Sequence, residues 1–221
     1  LEQQDIIDIE SLRRQKQRAF DSALESLYSH YFSYLERNAN IREKVRAKHI
    51  FKSAVGIKEE EFDKELDEHF NHWFAFDYRN IQGTNMFDLF FKQKKNTLTQ
   101  PMLVLSALLM ATVLEPFKVK EKKSSREIKV KSLITEQVET IDSFCYSFKN
   151  IQRDQIVLLR KIKSGFRYVT LSPPVGITEE KNPDLERIIQ QEYGSFKEQY
   201  PTATAVGFLK SNTLKFLSQV F

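Results

Sequence analysis

With one cysteine, Cys145, the chain can close no disulfide within itself and assemble no cysteine-rich zinc cluster. A single thiol suits a reducing compartment, so a cytoplasmic location is expected. Glycine and proline number six each, too few for low-complexity linkers. Long apolar runs are also missing. The longest, residues 102–114, is interrupted by Ser106 and Thr112 and is shorter than the ~20 residues that span a bilayer, so no membrane association is expected. Residues 3–17 are polar and charged, unlike the basic-then-apolar order of a signal peptide. The chain starts at Leu1 instead of Met, which leaves open whether a module precedes it.

Catalytic templates are equally scarce. There is no glycine-rich phosphate loop, no G-x-S-x-G nucleophile elbow and no histidine partner around Cys145, which reads as a small apolar side chain. No catalytic residue and no cofactor is assigned. Glu127-Ile128-Lys129 has the Glu-x-Lys spacing of some metal-dependent nucleases, but that chemistry needs a further acid on a neighbouring strand, and residues 122–126 are lysine, serine and arginine. His69 and His72, three apart on one helix, lack further placed ligands of the right kind, so no metal site is assigned.

What is present is a globular composition, 41% hydrophobic, over 221 residues, enough for a sizeable core. The net charge of +4 is unevenly spread: residues 1–91 carry −4, residues 92–167 carry +9 and residues 168–221 carry −1. The basic character belongs to the middle.

The chain is organised around residues 72–78, HWFAFDY, with the only tryptophan. Trp73, Phe74, Phe76 and Tyr78 are the expected structural core. Before them, apolar residues at three- and four-residue steps over residues 8–36 predict a long helix, and residues 41–55 and 58–76 predict two more. Their junction at Gly56 has the spacing of a helix-turn-helix. The would-be recognition helix, however, sets seven acids against two lysines over residues 58–68, which phosphates would repel, so a plain helical hairpin is the better reading. Asn85 caps a short helix through Lys94, and a helix from Thr97 or Thr99 to about Leu114, apolar on nearly every side, belongs at the domain centre, closed by Pro116.

From Phe117 the period changes to that of strands, over residues 117–119, 128–130, 138–141, 155–162 and 166–171, with Ser164-Gly165 as a hairpin turn and Pro173-Pro174 ending the sheet. Residues 184–199 and 203–220 return to helical spacing. The expected fold is α+β: a helical N-terminal part (1–78), a central buried helix with a small antiparallel β sheet or barrel (79–172), and two C-terminal helices packing back on the same core (173–221).

The order HWFAFDY, MFDLFF, an apolar helix ending in EPFKV, then RDQIVLLRKI and YVTLSPP resembles the region preceding the zinc motif in bacterial cytoplasmic SEC-C-motif-associated proteins. In that family an aromatic WF-F-DY block and a helical pair precede strands with a GD-x-hydrophobic-x-R block. Asp154 and Arg160 stand in the corresponding block, with Arg153 where the family has glycine. The resemblance covers residues 70–172, and the zinc motif itself is absent from the sequence. It implies fold and a bacterial cytoplasmic setting, and no activity.

Two groups of cations are candidate nucleic-acid-binding residues. Lys118, Lys120, Lys122, Lys123, Arg126, Lys129 and Lys131 cluster on one hairpin, and Arg153, Arg160, Lys161, Lys163 and Arg167 on another. Strand alternation could set several on one face, with Tyr146, Phe148, Phe166 and Tyr168 as stacking platforms. The structural alternative is a solvated, lysine-rich sheet edge that blocks strand pairing. The expected function is a non-enzymatic bacterial cytoplasmic binding or adaptor protein acting through protein–protein contacts or self-association, with the acidic helix pair and the tyrosine-rich first helix as docking elements. Nucleic-acid binding through the basic β unit is the alternative, and a metal-dependent nuclease a more distant one.

Overall fold

The computed structural model describes residues 8–58, 62–178, 180 and 182–221. Seven α-helices are present among them: α1 (Ile9–Asn38), α2 (Ile41–Val55), α3 (Lys64–Phe76), α4 (Met86–Lys94), α5 (Gln100–Ala111), α6 (Leu185–Gln199) and α7 (Ala205–Leu217). Between α5 and α6 lie β1 (Leu114–Lys122), β2 (Glu127–Ser132), β3 (Val138–Ser143), β4 (Ile156–Ser164), β5 (Arg167–Thr170) and β6 (Val175–Ile177).

Local chemistry accounts for the helix starts. Asp8, Asn40, Asp63 and Asn85 each accept a bond from the backbone N–H two or three residues on, and Gly56 ends α2 with φ +79°, where a side chain would be strained. α3 starts at Lys64, six residues later than the spacing predicts. Of the acids expected at its beginning, Glu59, Glu60 and Glu61 lie outside the described residues.

The strands close on themselves. β1 pairs with β2 through its second half and with β4 through its first, so the order runs β1-β2-β3-β5-β4 and back to β1. All these pairings are antiparallel except β3 with β5, which is parallel and completes the barrel. A bulge between Val119 and Glu121 lets β1 bend from one neighbour to the other.

Pro173-Pro174 interrupts the sheet without ending it. β6 resumes along the same edge of β4. At the gap, Ser172 Oγ accepts the Arg160 backbone N–H at 2.8 Å, and Leu171 N–H bonds Arg160 O at 2.7 Å. Pro116, expected to stop α5, lies inside β1, and α5 ends three residues before Leu114 because Thr112 is already extended.

The interior of the barrel is filled by Phe117, Val119, Ile128, Val130, Ile141, Val157 and Leu159, with Phe148 and Ile151 plugging it from the β3–β4 loop. A second cluster joins residues of all seven helices to the outer face of β4 and β5 through Leu158, Ile162 and Val169. Trp73, Phe74, Phe76 and Tyr78 belong to it and are buried, as expected. β4 therefore has apolar residues on both faces. α5 packs between α1 and the sheet through Met102, Leu105 and Leu109, but Val104 is 42% and Leu108 38% exposed, so it is covered on one face and open on the other.

Candidate nucleic-acid interface

Helices cover the β4 and β5 side of the barrel, leaving the outer face of β2, β3 and the second half of β1 to solvent. The interface is built on this open face. Lys120 is exposed at the β1 bulge, Lys129 stands opposite Glu121 on β2, and Arg126 is exposed in the β1–β2 turn. Lys122 stands opposite Ile128, an interior residue, so it turns to the barrel end instead of the outer face and donates to Lys149 O of the β3–β4 loop at 2.7 Å. Among the described residues Lys120, Lys122, Arg126 and Lys129 form no ion pair.

The other first-hairpin cations are matched by acids. Lys118 lies 3.4 Å from Glu186 of α6, Lys123 2.6 Å from Glu127, and Lys131 3.0 Å from Glu136.

The second hairpin does not add its cations to this face. Arg153 is paired with its neighbour Asp154 at 3.6 Å. Arg167 bridges Asp21 of α1 at 2.9 Å and Asp142 of β3 at 3.1 Å. Lys163 lies 5.9 Å from the Tyr168 ring centre. Lys161 turns to one end of the barrel, where it pairs with Glu139 and, at 3.8 Å, with Glu115, whose other oxygen accepts from Ser132 Oγ at 2.5 Å. Burial raises the Glu115 carboxyl, partly offset by Lys161.

Arg160 is a correction. It is 1% exposed, on the helix-covered side of β4, and cannot reach a nucleic acid. Its guanidinium pairs with Asp77 at the end of α3, donates to Thr112 O at 2.8 Å and lies over the Phe76 ring at 5.2 Å. Asp77, an ordinary surface acid by composition, has a side chain only 5% exposed, and burial raises its carboxyl despite the charge of Arg160. The two blocks that carry the family resemblance, HWFAFDY and RDQIVLLRKI, meet at this pair.

Of the stacking platforms only Phe166 is exposed, at 49%, and it stands in the β4–β5 turn beside α1 instead of on the open face. Phe148 is inside the barrel, Phe166 lies under the Arg13 guanidinium at 4.7 Å, Tyr168 packs against the barrel interior, and Tyr146 is held by His72 at 3.0 Å. The open face thus presents charge without exposed rings.

The Glu-x-Lys pattern does find an acid opposite it, since Asp142 faces Glu127 across β2 and β3. Lys123 and Arg167 occupy these two carboxylates, and no group of three or more metal-ligating side chains occurs among the described residues. His69 and His72 are buried, not on the helix surface; desolvation lowers them to about 4 and about 3, and both stay neutral at pH 7. Sequence periodicity offered no signal for the Asp77–Arg160 pair, because a charged residue in a strand with apolar residues on both faces can be assigned to either side.

No helix among the described residues is long and apolar enough to cross a membrane. No family model matches the chain, and neither the curated proteins nor the solved structures yield a match.

Proposed function

We propose that this is a non-enzymatic binding protein whose barrel contacts the phosphate backbone of nucleic acid. One observation carries the reading: the barrel face left free of helices carries Lys120 and Lys129, with Arg126 in the adjoining turn, and none of the three forms an ion pair among the described residues. Five-stranded Greek-key barrels of the OB class bind oligonucleotides on the strand 2–3 face and the loops after strands 1 and 4. The strand order here brings the corresponding elements together, an argument from topology alone. Without exposed rings the contact is electrostatic, so it tracks backbone and carries little base preference. A cytoplasmic, bacterial setting accompanies the reading through the sequence resemblance.

The test is binding of mixed-sequence duplex and single-stranded DNA and RNA at two salt concentrations. Affinity that falls steeply with salt and is lost in Lys120→Glu/Lys129→Glu supports the interface; no binding at low salt removes it. The reading as a protein adaptor is favoured by a different observation, the exposed Val104 and Leu108 on α5. Sedimentation at rising concentration tests its self-association form. A mass that grows with concentration, and stays monomeric in Val104→Ser/Leu108→Ser, supports it.

A further inference from the structure

A half-open cleft of about 460 Å³ lies between α1, the start of α2, α3 and the β3–β4 loop. Its size is within the range of small-molecule sites, about 300–1,000 Å³. Tyr28, Phe32, Phe74 and Tyr146 supply rings to its wall, and Ile41, 76% exposed, extends the apolar surface at the rim. His72 lies at the base, with Nε2 3.0 Å from the hydroxyls of both Tyr28 and Tyr146, and Tyr28 donates its proton to Leu171 O at 3.1 Å. These polar atoms are committed to one another.

The base is also uncharged. His72 is held down to about 3 by burial, and then by Arg160; burial pushes Tyr28 upward and Tyr146 up to about 12. A ligand therefore meets uncharged aromatic side chains within the cleft.

Charge stands at the mouth. Glu36, Glu68 and Lys44 line it and form no ion pair among the described residues. Glu68 is close enough to Tyr146 for its negative charge to raise the phenol. Asn71 gives its Nδ2 to Asp67 at 3.0 Å, which leaves its carbonyl oxygen as an acceptor. Two carboxylates and an amide oxygen against one ammonium favour a positive ligand. Ring faces favour the same sign, because the aromatic quadrupole attracts a cation and does so more strongly where water is excluded.

We propose that this cleft binds an organic cation with an apolar body, its alkylated nitrogen set between the rings of Tyr28, Phe32 and Tyr146 and the carboxylates of Glu36 and Glu68. A free amine and a methylated lysine side chain of another protein share that chemistry.

The experiment is an NMR titration of the full chain with benzyltrimethylammonium, repeated with uncharged benzyl alcohol and with a trimethyllysine peptide. Saturable shifts at Phe32, Glu68 and Tyr146 are expected, with benzyl alcohol at least tenfold weaker. Glu36→Gln/Glu68→Gln, which removes two charges that form no ion pair among the described residues, should weaken the cation at least tenfold and leave the spectrum otherwise folded. Peptide binding tighter than the free amine would assign the source to a protein, and the reverse order to a small molecule. Absence of saturable shifts, equal affinity for benzyl alcohol, or indifference to the double substitution would overturn the proposal.

Discussion

Arg160 of β4 and Asp77 at the end of α3, 83 residues apart in sequence, form an ion pair closed to solvent that joins the helical layer to the barrel. Thr112, at the α5–β1 junction, takes a second bond from the same guanidinium, so three segments are tied at one point.

Removing one partner should be severe. Asp77→Leu alone leaves a buried guanidinium uncompensated, and Arg160→Met a buried carboxylate, each at a cost of about 3–5 kcal/mol. The double substitution Asp77→Leu/Arg160→Met should recover much of the loss, because the desolvation of both charges disappears together. Urea unfolding of the three variants measures this, and equal costs for the singles and the double would refute it.

Acid should weaken the fold through His69 and His72. Their folded values, about 4 and about 3, lie below the ordinary 6.5, so the unfolded chain binds more protons between those limits. The stabilisation is present above pH 6.5 and is lost as pH falls toward 4 and then 3, at about 1.4 kcal/mol per pH unit for each fully responding histidine. Urea midpoints from pH 8 to pH 4 should show the decline, and His69→Gln should flatten part of it.

Gly165 should not tolerate a side chain. It sits at φ +62° in the β4–β5 turn, and an added Cβ would lie 2.7 Å from Gln17 Oε1. Gln17 holds that turn from α1, donating to Ser164 O at 3.0 Å and accepting from Phe166 N–H at 2.8 Å. Gly165→Ala is expected to cost about 1–2 kcal/mol from backbone strain alone, read as a shift in thermal midpoint.

Cations on the barrel should divide by partner. Neutralising Lys120 or Lys129 should lower the slope of log affinity against log salt for duplex by about 0.9 each. Lys161→Met should leave the slope unchanged, because Lys161 belongs to Glu139 and Glu115 at the barrel end. A filter-binding series over salt separates the two classes.

The helices were largely legible because their causes are local. The apolar spacing from Leu24 to Leu35, the caps at Asp8, Asn40 and Asn85, and the left-handed Gly56 lie within a few residues of what they govern. The strands were legible as strands for the same reason. Arg160 was placed among the surface cations because its strand neighbours, Leu158 and Leu159, are apolar on both faces and do not say which side meets the helices. Lys161 shares that strand, whereas Phe148 and Tyr146 lie in the β3–β4 loop, where no strand alternation assigns a ring to a side.

Periodicity, turn chemistry and charge distribution in the sequence by themselves determined an α+β chain with aromatic helices first and a basic strand region in the middle. Only the tertiary structure decided that β1 closes onto β4, that β3 runs parallel to β5, and that β6 continues beyond the prolines. It also decided which cations are matched by acids and that Tyr28, His72 and Tyr146 meet beneath a cleft. The reason is physical: local propensity acts over a few residues, whereas strand closure, burial of a charge and the meeting of rings depend on contacts between segments tens of residues apart, whose pairing no local pattern encodes.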